Sequence, residues 1–130
     1  LGDELYNLIS EPNKLIAIDT EEGIDRIIDI LTPLVGNRVT LVRSQRDFLE
    51  ITAPNVSKGR ALAQLALDNN LSLENIVSFG NAENDISMLS ETGYSVAVSN
   101  ATEHVKSVAN EVCGHHNEDG VAHWIEKNLL

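Results

Sequence analysis

Hydrophobic and polar positions along this chain follow two regimes that meet near residues 52–57. In the first, apolar residues at Leu1, Leu5, Leu8 and Ile9 predict a short helix that ends before Pro12. The run Lys14-Leu15-Ile16-Ala17-Ile18 predicts a strand, and Asp19 or Thr20 can cap the helix after it. That helix puts Ile24, Ile27, Ile28, Leu31 and Leu34 on one face, a stripe that reads as core, and Pro33 is expected to end or kink it. Gly36-Asn37 marks a turn. Val39–Val42 and Phe48–Ile51 then predict two strands around a polar turn from Ser44 to Asp47.

After Pro54-Asn55, helix and strand patterns alternate. Ser57 is placed to cap a helix from Lys58, with Leu62, Leu65 and Ala66 inward. Ile76-Val77-Ser78-Phe79 is an apolar run closing at Gly80, as a buried parallel strand would. A helix over about 83–91, a strand over Tyr94–Val98 and a helix capped by Asn100 follow. A short strand near Val112-Cys113 and a helix from Asp119 to Leu129 complete the pattern. The alternation predicts an α/β fold with a parallel sheet covered by helices.

Composition narrows the picture modestly. A hydrophobic share of 42% supports a packed core, and no apolar run approaches the ~18 residues of a membrane span. The net charge of -11 argues against a nucleic-acid partner, and residues 61–130 hold only Lys106 and Lys127 as bases. Cys113 is the single cysteine, so no internal disulfide is possible; a reduced, cytoplasmic protein is expected, with Cys113 as a small buried hydrophobe. A start at Leu1 rather than at methionine suggests a piece of a longer chain.

Chemistry concentrates at Phe79-Gly80-Asn81-Ala82-Glu83-Asn84-Asp85-Ile86-Ser87-Met88, where a buried strand turns into a helix. Open α/β sheets bind ligands at that edge. Asn81, Glu83, Asn84 and Asp85 present the oxygen atoms that a hard cation such as Mg²⁺ prefers, yet Asn81 and Asp85 could equally serve only as helix caps. Lys58 lies in the first turn of a helix, where its charge opposes the macrodipole. An ammonium at a helix N-terminus makes a phosphate site, although a stray surface lysine is also common. His104, His115, His116 and His123 have no partners at zinc-ligand spacing, and Trp124 reads as a packing residue.

Together the motifs resemble the Cof-type branch (cap class IIB) of the haloacid dehalogenase-like phosphatases. Val56-Ser57-Lys58-Gly59-Arg60-Ala61-Leu62 is similar to that branch's sKG-x-al segment, and Gly80-Asn81-Ala82-Glu83-Asn84-Asp85-Ile86-Ser87-Met88 to its GD-x-x-ND-x-x-M. Ala97-Val98-Ser99-Asn100-Ala101, Val105-Lys106 with Ala109, and Glu118-Asp119-Gly120-Val121-Ala122 resemble three further segments in the family's order. The resemblance implies the C-terminal part of a Rossmann-like core over residues 53–130, preceded by part of an α+β cap domain over 1–52.

It also implies a reaction. A substrate phosphoryl group passes to an aspartate of a D-x-D segment, and water hydrolyses the aspartyl-phosphate while the second aspartate serves as acid and base. Lys58 and Asp85 would be the catalytic residues of this chain, Lys58 and Asn84 would contact the substrate phosphate, and Asn81 and Asp85 would face Mg²⁺. Small phosphorylated metabolites, sugar phosphates first, are the implied substrates. Two departures stand out. Asn81 occupies a place where the family carries a metal-ligating aspartate, and no D-x-D occurs in the 130 residues. Leu15-Ile16-Ala17-Ile18-Asp19-Thr20 begins like one but continues Glu21-Glu22, so Asp19 is expected to be a helix cap. The expectation is an inactive fragment that self-associates through an exposed sheet edge. A non-catalytic binding or assembly protein on the same fold is the alternative. A receiver-type phosphoacceptor domain fits less well, because Lys58 precedes the Asn/Asp cluster.

Overall fold

The computed structural model describes residues 12–130, so the helix expected at Leu1–Ile9 lies outside the described residues. Backbone contacts divide the chain between Asn55 and Val56 into two compact units.

The first unit holds β1 (Lys14–Ile18), α1 (Glu21–Val35), β2 (Thr40–Gln45) and β3 (Phe48–Thr52). Its sheet is antiparallel in the order β1-β3-β2, with Lys14 opposite Thr52 and Ile18 opposite Phe48. Lys14–Ile18 therefore belongs to this antiparallel sheet, and Asp19 follows its end. Thr20, rather than Asp19, is the N-cap of α1: its Oγ1 accepts the Gly23 N–H at 3.1 Å. Asp19 stands one residue earlier and accepts the Thr20 N–H at 2.7 Å, so two short polar side chains share the helix entry. The helix continues past Pro33 to Val35, because a proline in the last turn removes only one late interior bond. Of the expected apolar stripe, Ile24 is fully buried while Leu34 is exposed. Among the described residues Ile24 and Leu49 are the buried apolar side chains of this unit.

The second unit alternates α2 (Lys58–Asp68), β4 (Val77–Gly80), α3 (Ile86–Glu91), β5 (Tyr94–Val98), α4 (Glu103–Val108), β6 (Glu111–Cys113) and α5 (Gly120–Leu129). The sheet is parallel in the order β4-β5-β6, with Val77 opposite Tyr94 and Val98 opposite Cys113. Central β5 is buried from Ser95 to Val98. Leu89, Val96, Val98, Val105, Cys113 and Trp124 join it in one apolar cluster. Burying each aliphatic side chain of that size contributes roughly 1.5–3 kcal/mol. Trp124 packs edge-on against Phe79 at 5.4 Å, and its Nε1 donates to Glu111 Oε2 at 2.9 Å, which satisfies the one polar atom of the indole.

Two local expectations change here. Leu65 is exposed, because α2 faces α3 through the row Gly59, Leu62, Ala63 and Ala66, whose small residues let the helices approach closely. Thr102 replaces Asn100 as the cap of α4, accepting the Val105 N–H at 3.3 Å. The chain first closes a turn through Ala101 N–H to Val98 O, which delays the helix. Among the described residues no helix is long and apolar enough to cross a membrane.

Candidate active site

A cavity of about 430 Å³ opens at the C-terminal edge of the parallel sheet, lined chiefly by Lys58, Gly80, Asn81, Asp85, Met88 and His116. Each wall has a local cause. Ser57 caps α2 by accepting the Arg60 N–H at 3.2 Å, which sets Lys58 as the first helical residue. Gly59 N–H donates to Ser87 Oγ at 3.1 Å, tying that helix start to α3. A β-carbon at Gly80 would stand 2.7 Å from the Asp85 Cβ, so only glycine lets the strand end pass so close to the following turn.

Asp85 organises the cavity floor. It is almost fully buried, and its Oδ2 accepts the N–H groups of Asn81 at 2.8 Å and Ala82 at 3.1 Å. Its Oδ1 accepts a hydrogen bond from Lys58 Nζ. Burial pushes the Asp85 carboxyl up, but the Lys58 hydrogen bond, the two backbone N–H groups and the Lys58 charge together outweigh it. The carboxyl therefore rests below its ordinary range. The Lys58 side chain is about half exposed (51%) against 5% for Asp85, so the ammonium stands at the boundary between carboxylate and solvent. The pair is held from beneath and open above.

The remaining expected residues lie differently. Asn81 is exposed on the cavity wall, and its side chain makes no hydrogen bond among the described residues. Asn84 does not line the cavity; its Oδ1 is buried without a hydrogen-bond partner. Glu83 turns away to α4, where its carboxylate meets Thr102 Oγ1 at 3.1 Å and His104 Nδ1 at 2.8 Å. His116, in sequence only one of four histidines without zinc-ligand partners, also lines the cavity. Its position between a parallel strand and the Asp119-Gly120 helix start was the signal for the same sheet edge.

A magnesium ion fits this donor set incompletely. Mg²⁺ prefers octahedral oxygen with one or two carboxylates. Both Asp85 oxygens already have donors, and Asn81 brings a neutral oxygen. No group of three His, Cys, Asp or Glu side chains capable of holding a metal occurs among the described residues.

Comparison with known proteins gives the family. Residues 2–125 match the family described as haloacid dehalogenase-like hydrolase. The chain is 42% identical over 92 residues to phosphatase YwpJ of Bacillus subtilis, covering 71% of this chain and 32% of that protein. It is 37% identical over 118 residues to the chloroplastic endoribonuclease YBEY of Arabidopsis thaliana, covering 88% of this chain and 20% of that much longer protein. A solved haloacid dehalogenase-like hydrolase from B. subtilis superposes with a TM-score of 0.84 at 33% identity, over 99% of this chain and 45% of the other. The chain thus spans less than half the length of these relatives. By that family match, its motif order and its parallel sheet, this chain belongs to the Cof-type haloacid dehalogenase-like hydrolases.

Proposed function

We propose that Val56–Leu130 supplies the lysine-bearing wall of a phosphatase site for small phosphorylated metabolites, sugar phosphates first. The observation that carries it is Lys58, clamped by buried Asp85 and open to a cavity at the C-terminal sheet edge. In the reaction a phosphoryl group leaves the substrate oxygen for an aspartate carboxylate of a D-x-D segment. Water then breaks the acyl-phosphate bond and releases inorganic phosphate. Lys58 holds the phosphoryl oxygens and Asp85 fixes Lys58. Magnesium would supply charge neutralisation between phosphate and carboxylates. Asn81 and Asp85 are assigned to face it, with the D-x-D carboxylates as the main ligands. The first unit is assigned to a cap domain that selects the substrate. A cytoplasmic location suits the buried, unpaired Cys113 thiol.

The 130 residues contain no D-x-D, so this chain by itself should not turn over p-nitrophenyl phosphate with Mg²⁺. Turnover above background that vanishes in Lys58→Ala would defeat that expectation. The neutral Asn81 favours a second reading, a binding or assembly protein on the same fold. Phosphatase activity of protein completed by a D-x-D segment decides between them, and Asn81→Asp in that protein tests the place of Asn81. An added carboxylate should tighten the apparent Mg²⁺ constant for activity roughly tenfold. An unchanged constant would place Asn81 outside the metal shell.

Among the described residues β4 pairs only with β5, which leaves its other edge with unpaired N–H and C=O groups. Such an edge is a template for another strand. We assign it to a second copy when this chain is alone, with neither nucleic acid nor membrane as partner. Sedimentation of the purified chain should show concentration-dependent association, and a stable monomer at high concentration would contradict it.

A further inference from the structure

We propose, on the reading of this cavity as a phosphate site, that His116 is a second phosphate contact opposite Lys58. His116 lines the same cavity, and its ring makes no hydrogen bond among the described residues. Its backbone, by contrast, is fixed. The His116 N–H donates to Asn100 Oδ1 at 3.2 Å, and His115 O accepts the Glu118 N–H at 3.0 Å and the Gly120 N–H at 3.2 Å. Gly114 and Gly120 press together behind the turn; a β-carbon on Gly120 would lie 2.2 Å from Gly114 O. The His116 ring packs tilted against His115 at 4.8 Å but has no hydrogen-bond partner among the described residues, so a rigid backbone presents an imidazole whose nitrogens are suited to meet a ligand.

Charge supports the same assignment. The chain carries -11, and the bases beyond residue 60, Lys106 and Lys127, do not line the cavity. The one lysine there, Lys58, is already neutralised by Asp85. A phosphate monoester brings about -1.5 to -2, so in the chain without a metal Lys58 alone leaves that charge largely uncompensated. An imidazole donates an N–H in its neutral tautomers and adds one positive charge when protonated, which lessens the deficit.

Inorganic phosphate titrated into the 130-residue protein at constant pH and ionic strength tests this, followed by NMR of the histidine rings. The His116 ring resonances should move saturably while those of His123 stay put. H116Q should weaken phosphate about tenfold, H116R should restore most of the affinity, and H123Q should leave it unchanged. Phosphate binding that depends on Lys58 but keeps wild-type strength in H116Q overturns the His116 contact alone, whatever its ring resonances do. Absence of saturable phosphate binding overturns both the contact and the phosphate reading of the cavity.

Discussion

Replacing Lys58 by alanine, in protein completed by a D-x-D segment, should lower the phosphatase rate by about 10²–10³ and leave folding nearly untouched. A group aimed at the transferring phosphoryl acts where charge develops in the transition state, and losing one such group costs about 2.7–4 kcal/mol. The structural contribution of the same side chain is smaller. Its stem and ammonium are about half exposed, and water can replace it above Asp85, whose other oxygen keeps two backbone N–H donors. A half-exposed ion pair of this kind contributes on the order of 1 kcal/mol or less. The two readouts therefore separate by at least two powers of ten in rate against a small shift in unfolding midpoint. Steady-state kinetics beside urea unfolding of the same preparations measures both. A loss of stability that matches the loss of rate would make Lys58 a structural residue.

Asp85→Ala should act the other way round and strike stability as well as activity. The substitution strips the acceptor from two backbone N–H groups in a buried turn and leaves Lys58 unanchored. An unsatisfied buried donor costs roughly 1–3 kcal/mol, so a total of about 2–4 kcal/mol is expected once water reaches part of the gap. Asp85→Asn keeps an acceptor and should lose less. The charge itself has a pH signature. Because the folded-state carboxyl lies below its ordinary range, its contribution is present above the unfolded-state value. That contribution is lost as pH falls through the folded-state value. The wild type should weaken on that acid limb, and Asp85→Asn should flatten it. Equal acid sensitivity in both proteins, followed by urea midpoints across pH, would show that Asp85 is not held in its charged form.

What the sequence determined on its own was the order of elements and the place of the chemistry. Apolar runs closing at glycine located β4 and the site turn, and Ser57 before Lys58 located the helix start, because caps and breakers act within one turn of chain. The motif order from Val56 to Ala122 was enough to suggest the family. Strand pairing was another matter. Lys14–Ile18 was legible as a strand before the 52–57 boundary, but its partner was not: only the tertiary structure pairs it antiparallel with β3. Leu65 and Leu34 satisfy a helical stripe yet face solvent, since the face that packs is chosen by the neighbour's shape and not by hydrophobicity alone. Thr102 took its cap over Asn100 because the turn from Ala101 N–H to Val98 O delays the helix, and Thr20 rather than Asp19 is the residue whose side chain reaches the Gly23 N–H. The site depended most on tertiary structure. Lys58, Asn81, Asp85 and His116 meet only because strand order brings three loops to one sheet edge, and no spacing along the chain encodes that meeting. Glu83 and Asn84 share the motif with Asp85, but a helix turn points neighbouring residues in different directions, so proximity in sequence put them outside the cavity.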